Sequence, residues 1–292
     1  MKIAVFMGGT SSEREVSLRT GAAILNSLVR QGYDAYKVDL TAENLVTAFT
    51  DNDYDLAYIA LHGEFGEDGR VQALLDMLGK KYTGSGVTPS AVSMDKVLTK
   101  LIAEDIGILI PKTYTSVEDI ENFPVVVKPA KEGSSVGIYI CNNKEEATVA
   151  VEALKDKKLL IEEFVKGEEL TCGVMNGEAM GVLKITPKSG VYDYTSKYTT
   201  GMTDYQFPAQ IDSKVYDAVM EASKKIHEEL NLGGISRSDF ILKDGKAYFL
   251  EVNTCPGMTE TSLIPKIATL KNYTFDDLTR IMVETFTKIK DN

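Results

Sequence analysis

The chain has 292 residues, 43% of them hydrophobic, enough for roughly two domains or three small ones around a sizeable core. Its 43 acidic residues against 32 basic ones give a formal charge of −11, which argues against a general nucleic-acid or anionic-membrane binder, since such proteins present net positive surface. Cys141, Cys172 and Cys255 are too few and too scattered for a disulfide framework or a zinc cage.

The opening MKIAVFMGGT carries one lysine and a short apolar run closed by glycines. It reads as a first strand over residues 2–7 and not as a signal peptide. No apolar run approaches the ~20 residues that span a bilayer, so a soluble, cytoplasmic protein is expected. The loop MGGTSSEREVS, residues 7–17, resembles a nucleotide-binding turn, but Gly8 and Gly9 are adjacent and no third glycine completes GxGxxG. Glu13 in this loop suits a bound ammonium group or, for purely structural reasons, the start of a helix. That helix carries Val16, Ala23, Leu25 and Leu28 on its apolar side. A strand near Ala35–Val38 follows and leads to Asp39, where a ribose-binding acid would sit. A buried strand over Leu56–Leu61 brings His62 to the same crevice and runs through HGEFGEDG into a helix over Val71–Leu78. Strand alternating with helix predicts a parallel, doubly wound sheet.

Gly84, Ser85, Gly86 and Pro89 punctuate the end of this unit, and Ser93 is the expected N-cap of a helix carrying Val97, Leu98, Leu101 and Ile102. From Pro111 the pattern turns to short strands at 125–127, 138–140 and 159–164, with a helix near 144–155. KPAKEGSSVG, residues 128–137, joins the first two of these strands. Its glycines, Lys128, Lys131, Ser134 and Ser135 suit an anion cradle of exposed N–H groups and hydroxyls, or an ordinary polar hairpin tip. It is not a P-loop, because the GxxxxGK[ST] spacing and the following helix are missing. Between Ile185 and Ile211 lies a long segment with little periodic pattern, of the kind that often forms a lid. A helix is expected over 213–231, with Val215, Val219, Ala222, Ile226 and Leu230 at helical spacing; His227 on it, among charged neighbours, reads as solvated and inert. A last helix begins near Thr274.

The stretch SRSDFILKDGKAYFLEVNTCPGM, residues 236–258, reads as a hairpin. A three-residue loop, Lys243-Asp244-Gly245, places Phe240, Leu242, Tyr248, Leu250 and Val252 on one buried face. The opposite face then gathers Arg237, Asp239, Glu251 and Asn253. Two carboxylates and a carboxamide are hard oxygen ligands suited to Mg2+, although a plain solvent-facing strand offers the same residues.

In chain order, GGTSSEREVSL, ALHGEFGEDG, YTGSG, SMDK, VVVKPAKEGSSVG, YDYTSKY, GISRSDF and EVNTCPGMTETSL resemble the segments of the D-alanine–D-alanine ligases of the ATP-grasp superfamily. The resemblance runs from the first strand almost to the last helix. It implies a three-domain α/β and α+β fold: an N-terminal substrate-binding domain with the doubly wound sheet over 1–90, a central ATP-grasp part over 91–166, and a C-terminal part over 167–292 with the metal site and lid loop. It implies that KPAKEGSSVG covers the ATP phosphates, with Lys96, Lys128, Ser135 and Lys197 beside them, and that Glu162, Phe164, Val165 and Glu169 hold the adenine and ribose. By the same resemblance Asp239, Glu251 and Asn253 hold two Mg2+ ions, which Mn2+ can replace. Glu13, Ser134 and Tyr194 meet the ammonium of the first D-alanine, with His62 nearby. Arg237 and the Gly257 N–H stabilise an oxyanion, and Ser262 with the Leu263 N–H grips the second D-alanine's carboxylate. Glu163, where several relatives carry lysine, and Cys255, where serine is common, depart from the family pattern.

The implied activity is ATP-dependent joining of two D-alanines through an acylphosphate, for peptidoglycan precursors and hence cell wall and cell shape, in a cytoplasmic homodimer that binds neither nucleic acid nor membrane. Rivals are a D-alanyl-D-lactate or D-alanyl-D-serine ligase on the same scaffold, a dinucleotide-dependent oxidoreductase, and a non-catalytic nucleotide sensor. Tyr194 and Lys197 speak against the lactate enzyme, the missing glycines against the oxidoreductase, and the complete metal set against the sensor.

Overall fold

The computed structural model describes residues 1–133, 137–188, 199, 201–259 and 261–288. The first unit alternates β1 (Lys2–Gly8), α1 (Arg14–Arg30), β2 (Asp34–Leu40), α2 (Thr47–Thr50), β3 (Leu56–Ile59), α3 (Arg70–Met77) and β4 (Lys81–Tyr82). Its four strands pair in parallel in the order β2-β1-β3-β4. Both faces of β1 are covered, as a parallel sheet requires: Ile3, Val5 and Met7 pack on Ile24 and Leu28, whereas Ala4 and Phe6 face Phe49 and Tyr54. The buried stripe of α1 is Val16, Ser17, Thr20, Gly21, Ile24, Ser27 and Leu28, flanked by the partly buried Leu25 and Ala23 that the sequence reading placed inward. Small residues win those positions because the helix lies close to β1. A Cβ on Gly21 would stand 2.5 Å from Met7 Cβ, and the Ser17 hydroxyl donates to Ala60 O (2.7 Å) while accepting from Gly8 N–H (2.8 Å).

Next come α4 (Val87–Met94), α5 (Lys96–Asp105), β5 (Thr113–Tyr114), β6 (Val125–Pro129), β7 (Tyr139–Cys141), α6 (Lys144–Ala153) and β8 (Leu159–Glu163), with the strands antiparallel in the order β5-β8-β6-β7. Ser93 is not a cap: it lies inside α4, and Asp95 caps α5, its carboxylate accepting from Leu98 N–H. The face of α5 is also reversed. Leu98 and Leu101 are exposed, and Lys96, Thr99, Lys100 and Ala103 are buried.

The third unit holds β9 (Glu168–Met175), β10 (Glu178–Pro187), β11 (Thr203–Gln206), α7 (Ser213–Glu229), β12 (Ile235–Lys243) and β13 (Lys246–Asn253). They form an antiparallel sheet ordered β11-β10-β9-β12-β13. The ends of the segment expected to lack pattern are therefore strands, and 189–198 and 200 lie outside the described residues. The last helices, α8 (Leu263–Ala268) and α9 (Phe275–Thr287), return to the first unit, where Ile264, Ile267, Leu278 and Met282 share a core with Ile3, Val5 and Met7. Thr274 caps α9 in a capping box with Asp277. No helix among the described residues is long and apolar enough to cross a membrane.

The β12–β13 hairpin corrects the expected loop. Lys243 pairs with Lys246, so the turn is the two residues Asp244-Gly245, both at positive φ (50° and 74°) as a type I′ turn demands. The acids still meet because an irregularity follows: Phe240 pairs with Phe249 but Asp239 with Glu251, leaving Leu250 as a bulge. The two-residue turn sets Phe249 beside Phe240 in the core, ring centroids 5.6 Å apart, and the extra residue beyond it returns Glu251 to the face of Asp239.

His227 is buried and not solvated, because α7 turns this face onto the sheet. Its Nδ1 lies 2.7 Å from Ser236 Oγ, and burial pulls its pKa down to about 4. The unfolded chain binds this proton near pH 6.5 and the folded chain only near 4, so stability falls as pH drops through that window, by on the order of 3 kcal/mol at its lower end. His227→Asn is expected to flatten that dependence. Denaturant titrations of parent and variant at neutral and mildly acid pH check it, and parallel curves would refute the assignment.

Candidate active site

Where the three sheets converge, a crevice of about 50 Å³ is lined by Glu67, Lys96, Gly133, Glu251 and Asn253, among others. α5 and β6 supply its cations. Lys96, at the first turn of α5, donates to Glu132 O (2.7 Å) and pairs with Glu251 (3.1 Å). Lys128, near the end of β6, meets Glu162 on the neighbouring β8 at 2.6 Å, and Lys100 reaches the same carboxylate from α5 at 2.8 Å. Burial would raise the Glu162 pKa, but the two ammonium groups outweigh it and hold the carboxylate ionised. Burial alone would likewise lower Lys128, and the charges of Glu162 and Glu251 raise it above the usual lysine range.

The expected adenine contact of Glu162 changes meaning here. Its carboxylate is almost fully buried and turned to the two lysines, since a buried charge requires partners. It sets the charge around Lys128 and does not lie open to a base. Phe164 and Val165 follow on the same strand end, with Phe164 N–H bound to Pro124 O at 3.0 Å, and Glu169 pairs across β9 with Ile185 and Ile241.

The β12–β13 register sets Asp239 opposite Glu251 and Arg237 opposite Asn253. Arg237 grips Asp239 with two bonds, 3.0 and 2.9 Å, and Thr171 on β9 donates to Asp239 Oδ1 at 2.6 Å. The Asn253 amide oxygen accepts from Cys255 N–H at 2.8 Å. Two carboxylates and an amide oxygen on adjacent strands are a donor set of hard oxygens, and they fit Mg2+.

The first unit faces this array through its loops. A Cβ on Gly63 would lie 3.1 Å from one Glu13 oxygen, and one on Gly133 3.4 Å from the other. The Glu13 carboxylate therefore sits between the loop after β3 and the KPAKEGSSVG loop. Ser11 Oγ donates to His62 O at 2.7 Å, and the His62 ring lies against Thr20 and Glu67. Beyond Asn253, Gly257 approaches Ser262 so closely that a Cβ would stand 3.2 Å from Ser262 Oγ, and Leu263 opens α8 immediately after. Ser262 Oγ also accepts from Thr259 N–H at 3.0 Å. Ser134, Ser135, Tyr194 and Lys197 lie outside the described residues.

Asp39 is engaged by side chains of its own unit. Arg14 and Lys37 hold it at 2.8 and 3.1 Å, and although burial opposes them their hydrogen bonds keep it below the usual carboxylate range. Lys100, Glu67 and Thr171 escaped the sequence reading. Lys100 had a signal, since it follows Lys96 by four residues and shares its helix face.

Family models described as "D-ala D-ala ligase C-terminus" and "D-ala D-ala ligase N-terminus" match residues 99–284 and 43–85. The D-alanine–D-alanine ligase of Fusobacterium nucleatum is 61% identical over 98% of this chain and 99% of its own length. That of Aquifex aeolicus is 45% identical over 97% and 100%. Among solved structures, the Bacillus anthracis D-alanine–D-alanine ligase complexed with ATP superposes with a TM-score of 0.85 at 33% identity, covering 99% of this chain and 97% of that one. The VanG D-Ala:D-Ser ligase of Enterococcus faecalis superposes at 0.84 with 27% identity, covering 98% and 99%.

Proposed function

The chain belongs to the D-alanine–D-alanine ligase family, and we propose that its crevice performs that ligation with the residues assembled above. The enzyme joins two D-alanine molecules in an ATP-dependent reaction. In our reading the carboxylate of the first D-alanine attacks the γ-phosphate of ATP to give an acylphosphate and ADP. The amine of the second then displaces phosphate through a tetrahedral oxyanion. Lys96 and Lys128 bind the phosphates as point charges; Lys100 neutralises Glu162 and so leaves Lys128 its charge. Glu13 anchors the first ammonium, and Arg237 with the Gly257 N–H stabilises the oxyanion. Ser262 and the Leu263 N–H hold the second carboxylate at a helix N-terminus.

Asp239, Glu251 and Asn253 would hold Mg2+, which when bound neutralises charge on the transferring phosphoryl group. Ser134, Ser135, Tyr194 and Lys197 complete the phosphate loop and the lid that excludes water. We read residues 1–90, 91–166 and 167–292 as the substrate, central and C-terminal parts, and the product as a cytoplasmic precursor of peptidoglycan made by a homodimer.

The observation that carries this reading is the pairing of two proposed phosphate lysines with carboxylates, Lys96 with Glu251 in the crevice and Lys128 with the buried Glu162 beside it. Product analysis with D-alanine, D-serine and D-lactate offered together tests it. D-alanyl-D-alanine with stoichiometric phosphate is the expected outcome, and a mixed product as the main species would move the chain to the rival ligases. Lys128→Ala is expected to raise the KM for ATP much more than that for D-alanine. A raised D-alanine KM with an unchanged ATP KM would mean that the KPAKEGSSVG loop has been misassigned.

A further inference from the structure

His62, Glu67 and Cys255 come from two loops, one after β3 and one after β13, and each brings a possible metal-ligand atom within 4.8 Å of the others. The His62 Nδ1 lies 3.5 Å from Glu67 Oε1, close to the ~3.4 Å edge of a tetrahedron with Zn–N and Zn–O bonds of about 2.0–2.1 Å. The other ring nitrogen is held by Thr20 Oγ1 at 3.0 Å, the outer contact that orients a ligating imidazole. Glu67 spends Oε2 on the Gly63 N–H (2.9 Å), whereas its Oε1 is buried without a hydrogen-bond partner and points into the cluster. A cation would satisfy that orphaned oxygen. Thr20, Tyr58 and Cys255 border a cavity of about 40 Å³, and the Cys255 thiol is held only by a long contact to Ile59 O at 3.7 Å.

We propose that His62, Glu67 and Cys255 form a capture site for a thiophilic divalent cation of the zinc class. Imidazole and thiolate select this class, whereas the all-oxygen set at Asp239, Glu251 and Asn253 suits Mg2+. On capture the Cys255 S–H proton leaves to solvent as the sulfur–metal bond forms. His62 contributes its Nδ1 lone pair, Glu67 its free oxygen, and water fills the fourth position. The captured ion draws His62 and the Gly63 loop away from Glu13 and thereby blocks the first D-alanine. That consequence rests on the D-alanine reading above; the binding itself does not.

Cobalt(II) titrated into the full chain with Mg2+ in excess is expected to give a sulfur-to-cobalt charge-transfer band that Zn2+ displaces. Cys255→Ser loses the band, Thr20→Val weakens cobalt affinity by about tenfold, and Glu251→Gln keeps it. Zn2+ at the displacing concentration raises the D-alanine KM of the parent and not of Cys255→Ser. Absence of the band, or its survival in Cys255→Ser through Cys141 or Cys172, overturns the site. A band with an unchanged D-alanine KM leaves the site standing and removes His62 from the D-alanine pocket.

Discussion

Glu251→Gln is expected to lower dipeptide turnover at least about a hundredfold while the protein keeps its fold. The substitution is isosteric, so the β12–β13 pairing and the bulge at Leu250 persist. What disappears is one negative charge at the centre of the crevice. Without it the proposed metal set keeps one carboxylate, Asp239, and Lys96 loses the partner that positions it at 3.1 Å. A hundredfold loss corresponds to about 2.7 kcal/mol of barrier, within what charge stabilisation by a bound divalent ion supplies. Turnover measured across a range of Mg2+ concentrations should show both a lower ceiling and a higher requirement. Near-parental turnover at saturating Mg2+ would remove Glu251 from the metal site.

Arg237→Met is expected to have an effect of similar size through the second step. Arg237 lies on the same face as the proposed metal ligands, and its fork is held by Asp239, which Thr171 fixes in turn. Losing one pre-oriented oxyanion donor typically reduces kcat by about 10²–10³-fold, or roughly 2.7–4 kcal/mol. The acylphosphate still forms in the variant and is then lost to water, so phosphate released per dipeptide should rise. Arg237→Lys keeps the charge but not the fork and should fall between the two. If the loss instead appears as a raised ATP KM with kcat unchanged, Arg237 serves only to neutralise Asp239.

Much of this protein is legible in its sequence wherever periodicity or local turn chemistry decides the outcome. The buried run of β1, the alternation through α3, the cap at Thr274 and the hairpin around KPAKEGSSVG all follow from residues close together in the chain. Asn176-Gly177, with both residues at positive φ, marks the β9–β10 hairpin by the same local rule. The ordered family segments likewise point to the ligase chemistry.

Tertiary packing decided the rest. Hydrophobicity placed Leu98 and Leu101 inward on α5, yet the helix buries Lys96 and Lys100, because Glu162 and Glu251 on other strands supply the charges that make buried ammonium groups tolerable. His227 looks solvated among charged neighbours, but Ser236, nine residues on, receives it in the core. The hairpin acids meet through a bulge that no alternation pattern reveals, since one unpaired residue shifts every later side chain to the other face. Local pattern determined which elements form; which face each one buries depended on partners far away in the chain, whose charges and volumes enter only when the three sheets meet.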